Sequence, residues 1–158
     1  MKKIEKLLVC IDLSEHSQPT LESAVTVAGN TGAEIHIINV LNRRDVDAAH
    51  MIAPFYDTKI DPKKYVADTT ERRRKEIETM IADHFSDVQP PIKIHMKMGT
   101  PFEKILQTAE KEEVDLIVMG SKGRSNFAST LFGSQAEKVF RHSKIPVFSI
   151  RSKFHERQ

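Results

Sequence analysis

Short apolar segments alternate with helix-forming segments along almost the whole chain, and this alternation limits the possible folds more than any other feature. Lys6–Asp12 (KLLVCID) and Leu116–Met119 (LIVM) are apolar runs of the length that a buried strand needs. Glu34–Leu41 (EIHIINVL) is mostly apolar as well. Each connection between neighbouring runs is long enough for the crossover that parallel pairing requires. The pattern predicts an α/β fold, a three-layer α/β/α sandwich around a five-stranded parallel sheet.

The helices predicted between the strands begin and end at recognisable residues. Ser14 is expected to cap the first helix, and the segment Gly29–Gly32 is expected to end it. Asp61–Pro62 predicts the start of a longer helix that reaches about residue 86. That helix is expected to bury five side chains: Ile77, Met80, Ile81, His84 and Phe85. Its charged run, 71–76 (ERRRKE), is interpreted as a solvated helix face.

The middle of the chain combines one segment without a clear period and one with strict alternation. Residues 42–60 are interpreted as a long, partly mobile loop, because no period is visible there. Apolar residues alternate with charged or polar ones over 92–98 (IKIHMKM), which predicts a strand exposed on one face and close to a sheet edge. Thr100–Glu103 (TPFE) predicts a capping box at the next helix. The polar tail, 152–158, is expected to fray.

The segment Val114–Lys138 predicts a strand, a polar loop and a helix in succession. Its strand ends at Met119, and its helical pattern begins after Ser134. Three glycines interrupt the segment: Gly120, Gly123 and Gly133. Backbone N–H groups in such a loop and at a helix start can donate to phosphate, and the helix dipole favours an anion there. Because Lys122 and Arg124 add positive charge to the same loop, the segment predicts a phosphate site.

Composition and charge exclude several other classes of protein. A formal net charge of +2 is too small to predict nucleic-acid binding. No apolar run approaches the ~20 residues that cross a membrane, and the first such run stops at Asp12, unlike a signal peptide. Cys10 is the single cysteine, which excludes an internal disulfide, and it is expected in the core. We therefore expect one cytoplasmic domain spanning residues 1–158.

The histidines predict no metal site, because they are scattered and none has a spacing such as HExxH. The seven are His16, His36, His50, His84, His95, His142 and His155.

The G-x2-G-x9-G-S pattern of Gly120, Gly123, Gly133 and Ser134 resembles the nucleotide-binding signature of the universal stress protein family, in its ATP-binding branch. The first strand, which ends in Asp12 ahead of a serine, and the ending SKIPVFSI extend the resemblance over nearly the whole chain. It implies a Rossmann-like sheet with strand order 3-2-1-4-5. Ligands bind such sheets beyond the carboxyl ends of the strands, where the order reverses, so the ends of strands 1 and 4 would meet in one crevice.

The resemblance also assigns roles within this crevice. The residues expected to hold adenine and ribose are Asp12 and the backbone around Leu13 and Val40. Those expected along the ribose and first phosphate are Met119, Gly120 and Gly123, with Lys122 and Arg124 adding charge. Those expected at the outer phosphates are Gly133, Ser134 and Gln135. The implied ligand is ATP, with or without Mg²⁺. The implied assembly is a homodimer that pairs through the last strand, Pro146–Ile150.

The leading functional prediction is a nucleotide-dependent regulator of a stress response. One alternative is a slow ATP hydrolase, since the sequence offers no placed general base and no dedicated Mg²⁺ carboxylate beyond Asp12. Another is an adaptor that binds no nucleotide and acts through protein contacts. Structural roles are also open: Asp12 could cap the first helix, the glycines could serve turns alone, and Ser134 with Glu137 could form a capping box.

Overall fold

The computed structural model of the chain describes residues 3–56, 61–89, 91–122 and 132–151. Their strands are β1 (Lys6–Cys10), β2 (Glu34–Asn42), β3 (Lys93–Gly99), β4 (Leu116–Gly120) and β5 (Val147–Ile150). Their α-helices are α1 (Ser17–Thr31), α2 (Arg43–Ile52), α3 (Pro62–His84), α4 (Pro101–Lys111) and α5 (Ser134–His142). A 3-10 helix, Ala53–Tyr56, follows α2 directly. None of the helices described in these ranges combines the length and the apolar character of a membrane span.

The strands form one parallel sheet in the order β3-β2-β1-β4-β5, which confirms the predicted order. In the register of the central strand, Val9 lies between Ile37 of β2 and Val118 of β4. The strictly alternating segment is edge strand β3, as predicted. The other edge is β5, and the Phe148 side chain on it is 41% exposed.

Two apolar clusters pack on opposite faces of the sheet, because neighbouring residues of a strand point to opposite sides. Leu7 and Val9 belong to the cluster that also contains Leu21 of α1 and Ile77 of α3. Leu8 belongs to the other cluster, which includes the following residues of α4 and α5: Ile105, Ala109, Ala136 and Val139. Helices therefore cover both faces, as the predicted three-layer sandwich requires.

The turn between β1 and α1 differs from the prediction. Ser14 does not cap α1, because the helix begins at Ser17 and its N-cap position is held by His16, which makes no side-chain cap bond. The Asp12 carboxylate organises this turn instead. Its Oδ1 atom accepts hydrogen bonds from the Ser14 backbone N–H at 3.0 Å and from the Ser17 hydroxyl at 3.3 Å. At the other end, Gly32 adopts φ 73° and ends the helix as predicted.

The predicted loop over residues 42–60 is wrong for most of its length. Asn42 caps α2 by accepting a hydrogen bond from the Arg44 backbone N–H at 3.1 Å. Val46 is the only residue of α2 that is buried, so the helix lies on the surface and leaves no apolar period in the sequence. Phe55, in the 3-10 helix that follows, is 85% exposed. Residues 57–60 of the predicted loop and the predicted tail, 152–158, lie outside the described residues.

Helix α3 begins as predicted, since the Asp61 side chain accepts a hydrogen bond from the Lys63 backbone N–H at 3.0 Å and Pro62 follows it. The helix ends at His84, and that side chain is exposed rather than buried. Its apolar face follows the prediction only in part. Ile77 and Phe85 are buried, whereas Met80 and Ile81 are half-buried. The predicted solvated face is wrong at one position, because Arg73 is buried.

Neither predicted capping box forms. Thr100 holds the N-cap position of α4 but makes no side-chain cap bond. The Gln135 side chain, which belongs to α5, accepts a hydrogen bond from the Phe102 backbone N–H at 3.1 Å. Helix α5 has Gly133 as its N-cap residue, so its first helical residue is Ser134. A serine inside the helix cannot complete the box, and Glu137 instead pairs with Arg141 one turn later.

Candidate functional site

A cleft of about 470 Å³ opens at the carboxyl ends of β1 and β4. These strands are neighbours in the sheet although two strands (β2 and β3) and four α-helices (α1–α4) separate them along the chain. The cleft therefore lies where the strand order reverses. Open parallel sheets bind ligands at such points, because the loops on either side run in opposite directions and leave a crevice. The cleft is therefore the candidate functional site.

Most of the residues predicted for the crevice line this cleft: Asp12, Val40, Met119, Gly120, Lys122, Gly133, Ser134 and Gln135. Leu13 does not line it. Its backbone has the unusual φ of 62°, and its side chain packs against the apolar cluster that α1 and α3 cover. Gly123 and Arg124 lie outside the described residues.

Several lining residues were missed in the sequence. They come from the start of α1 (His16, Ser17, Thr20), from the start of α2 (Asn42, Arg44) and from α4 (Pro101, Ile105). Helix α2 begins directly after β2, and α1 begins after a six-residue turn that follows β1, so both helices begin at the same end of the sheet as the predicted residues. The position of these helices after β1 and β2 was therefore a sequence signal for the lining residues at both helix starts, but the region of α2 was interpreted as a loop.

Backbone hydrogen bonds fix the end of the cleft where α5 begins. The Gly133 N–H donates to the Ser121 carbonyl at 2.8 Å, and the Ser121 N–H donates to the Ile150 carbonyl at 2.8 Å. This chain of bonds attaches the segment before α5 to the ends of β4 and β5. The first turn of α5, Ser134–Ala136, then faces the cleft with N–H groups that have no partner within the helix. These groups and the positive end of the helix dipole favour an anion.

A buried polar chain supports the β2 side of the cleft. The Asn39 side-chain amide donates to the Ile11 carbonyl at 2.7 Å, which joins the ends of β2 and β1. The Arg73 guanidinium, from α3, donates to the Asn39 amide oxygen and to the Val40 carbonyl, at 3.4 Å each. Asn39 is 1% exposed and Arg73 is 8% exposed. Because Val40 lines the cleft, the hydrogen bonds of Asn39 and Arg73 hold part of the cleft wall in place.

Gly120 is a place where the cleft requires a residue without a side chain. A Cβ atom added there would lie 3.0 Å from the Lys122 carbonyl oxygen. It would also lie 3.5 Å from the His16 Cβ atom and from the Thr20 hydroxyl oxygen. Strand β4 and the start of α1 therefore approach each other closely at this point. Any larger residue would have to displace backbone or project into the cleft.

Cys10, which was expected in the core, packs against the apolar cluster that α4 and α5 cover and also lines the cleft. Burial raises the pKa of its thiol to about 12, and the negative charge of Asp12 acts in the same direction. We expect alkylation of native Cys10 by iodoacetamide at pH 8 to be about 1,000 times slower than in the unfolded chain, because only the thiolate reacts and an unperturbed thiol has a pKa of about 8.5. Mass spectrometry of timed samples, with and without guanidinium chloride, measures both rates. Equal rates would show a thiol that ionises normally.

Residues 3–151 match the model of the universal stress protein family. Universal stress protein MJ0577 of Methanocaldococcus jannaschii is 26% identical over 156 residues, which is 94% of this chain and 96% of that protein. The solved structure of MJ0577 superposes with a TM-score of 0.81, at 26% identity, and the match covers 96% of this chain and 99% of that one.

Two more distant solved structures share the fold. One is a universal stress protein in complex with cAMP, with a TM-score of 0.60, 20% identity and coverage of 95% of this chain and 98% of that one. The other is a universal stress protein of Archaeoglobus fulgidus in complex with dAMP, with a TM-score of 0.57, 18% identity and coverage of 94% and 99%. The family match spans nearly all of the chain, and the strand order agrees with it. The chain belongs to the universal stress protein family.

Proposed function

We propose that this protein binds an adenine nucleotide, ATP in the first place, in the cleft and acts as a nucleotide-dependent regulator of a stress response. One observation carries the proposal: the start of α5 and the Asp12 carboxylate, far apart in the sequence, line the same cleft at the reversal of strand order. The cleft volume, about 470 Å³, falls within the range of small-molecule sites. Relatives of the same fold in complex with cAMP and dAMP support an adenine nucleotide as the ligand.

The lining residues suggest how the nucleotide would lie. Asp12 uses one carboxylate oxygen for the turn before α1, and a carboxylate has further acceptor sites that suit ribose hydroxyls. Val40 would hold the adenine, whereas Leu13, which does not line the cleft, is left without the role that the resemblance implied for it. Lys122 and the first turn of α5 would hold the phosphates, together with Gly123 and Arg124, which lie outside the described residues.

A buried polar atom in the cleft gives further support for a ligand. His16 lines the cleft and is 7% exposed, yet its Nδ1 atom has no hydrogen-bond partner among the described residues. Buried polar atoms are nearly always paired, so a partner beyond the described residues is expected. A nucleotide or an ordered water in the cleft would supply it.

We propose a binding function rather than rapid catalysis. Among the described residues that line the cleft, Asp12 is the only carboxylate. Its Oδ1 atom already accepts the hydrogen bonds of the turn before α1. The carboxylate is therefore poorly placed to position an attacking water molecule, and by itself it is a weak site for Mg²⁺. ATP hydrolysis by this site would therefore be slow.

We also propose that the protein is a single cytoplasmic domain that forms a homodimer through edge strand β5.

The proposal is tested first on the protein as purified, without added nucleotide. The protein is denatured, and any released small molecule is identified by chromatography and mass spectrometry. ATP, AMP, cAMP and GTP are then titrated calorimetrically into the stripped protein, with and without Mg²⁺. We expect saturable binding of ATP, with GTP much weaker because the adenine edge is read by backbone near Val40. The absence of released nucleotide together with the absence of binding heat would exclude the proposal and favour an adaptor.

A further inference from the structure

Two of the scattered histidines meet at the end of the sheet opposite the cleft. His36 is the third residue of β2, and His95 is the third residue of β3, so both lie near the amino ends of their strands. In the register of the sheet, Ile38 is opposite His95, which places the two histidines diagonally on one face. Glu112 directly follows α4, the helix that covers this face.

The three side chains converge within the distances of a single coordination sphere. The Nδ1 atom of His36 lies 3.1 Å from the Nε2 atom of His95 and 3.9 Å from a Glu112 carboxylate oxygen. One ligand atom from each residue lies within 4.8 Å of the others. Two nitrogens that bind one tetrahedral Zn²⁺ at about 2.0–2.1 Å are separated by roughly 3.3–3.4 Å. A small rotation of the Glu112 side chain, which is partly exposed, would bring its oxygen into the same sphere.

A carboxylate lies at the far side of the His36 ring. The Nε2 atom of His36 is 3.4 Å from a Glu34 carboxylate oxygen, and Lys93 donates to the same oxygen at 2.9 Å. Histidines that bind metals commonly donate their second N–H to a carboxylate, which fixes the ring and its tautomer. With Nε2–H directed at Glu34, the lone pair of Nδ1 points to the place where His95 and Glu112 converge.

We propose that His36, His95 and Glu112 bind one divalent transition-metal ion, with Zn²⁺ as the best fit. Two imidazole nitrogens and one carboxylate oxygen suit Zn²⁺ and its neighbours in the first transition row, whereas Mg²⁺ and Ca²⁺ prefer oxygen ligands throughout. The fourth position would hold water, since Glu112 and His95 are accessible from solvent. The ion would tie the end of α4 to β2 and β3. This site is separate from the nucleotide cleft, so neither proposal depends on the other.

The competing explanation is a plain hydrogen bond. A neutral His95 that donates from Nε2 to the Nδ1 atom of His36 would account for the same 3.1 Å distance without any metal ion. Only metal binding requires Glu112 as a third partner. An experiment on Zn²⁺ itself therefore distinguishes the two.

The test uses untagged full-length protein, stripped with a chelator, dialysed and kept free of nucleotide. ZnCl₂ is titrated calorimetrically into the wild type, into the variants His95→Ala, Glu112→Gln and Glu34→Gln, and into the control His84→Ala, whose histidine is exposed on α3. We expect one Zn²⁺ per wild-type and His84→Ala chain. We expect His95→Ala and Glu112→Gln to lose at least about tenfold in affinity, and Glu34→Gln to lose about 10–100-fold, as for carboxylates that orient a ligand histidine.

A second measurement reports the geometry directly. Co²⁺ added to the stripped wild type should give the intense visible d–d bands of a four-coordinate ion, and His95→Ala should not. Zn²⁺ binding that is equal in the wild type and His95→Ala, or no binding in the wild type, would overturn the proposal and leave a hydrogen-bonded histidine pair. Circular dichroism of each variant checks that it is folded. ATP binding is measured separately on the same variants, so that a failure of the metal proposal is not confused with a failure of nucleotide binding.

Discussion

Replacing Arg73 with alanine is expected to lower the free energy of unfolding by about 2–4 kcal/mol. The substitution removes the donor for the buried Asn39 amide oxygen and the Val40 carbonyl, and buried acceptors without a donor are costly. It also leaves a space between α3 and the sheet, because Arg73 is buried. Urea denaturation followed by circular dichroism measures the change.

The neighbouring arginine provides the matched control. Arg72 is exposed and forms an ion pair with Glu76 one turn along α3, at 2.8 Å. Arg72→Ala is expected to cost less than about 0.5 kcal/mol, because water screens a surface ion pair of this kind. The two variants lose the same side-chain type from the same helix. Equal effects would mean that the buried contacts of Arg73 contribute nothing to stability.

Gly120→Val is expected to weaken ATP binding by about 10–100-fold. The valine Cβ would meet the Lys122 carbonyl oxygen at 3.0 Å, so backbone must shift or the methyl groups must enter the cleft beside His16 and Thr20. Forcing extra atoms into a packed site costs about 1–3 kcal/mol, which corresponds to this change in Kd. Calorimetric titration of ATP into the two proteins measures it.

The control for this substitution is Gly29→Val. Gly29 lies near the end of α1, and a Cβ atom added there has nothing within 4 Å apart from its chain neighbours and the backbone of its own helix. ATP affinity should therefore remain that of the wild type, and circular dichroism should show that both variants are folded. Wild-type affinity in a folded Gly120→Val protein would exclude the end of β4 at Gly120 as part of the nucleotide site.

The sequence predicted the fold where apolar runs are buried on both faces, and it failed where an element is exposed. Strands such as Lys6–Cys10 are apolar because helices cover both sides of the sheet, so their pattern is strong. Helix α2 buries only Val46, so no apolar period marks it and the segment was mistaken for a loop. The strand order came from the family resemblance, because periodicity does not say which strands are neighbours.

Prediction of the cleft depended on glycine spacing and on the ends of strands, which are local features. Arg73 was missed because arginines in a charged run usually face water, and nothing local shows that one of them meets Asn39 across 34 residues. The proposed metal site was missed for the same reason. His36 and His95 are 59 residues apart and become neighbours only through the pairing of β2 with β3.

The two edges of the sheet differ in chemistry, and this difference bears on how copies of the chain can associate. Edge strand β3 carries Lys93 and Lys97, whereas edge strand β5 carries Phe148 and Ile150. Lysines on an edge discourage the addition of another strand, while an apolar edge invites it. A sheet in which both edges can pair with a strand of another chain could grow without limit into a fibre. If only one edge can add a strand, the homodimer proposed above would be complete at two chains and its assembly would limit itself.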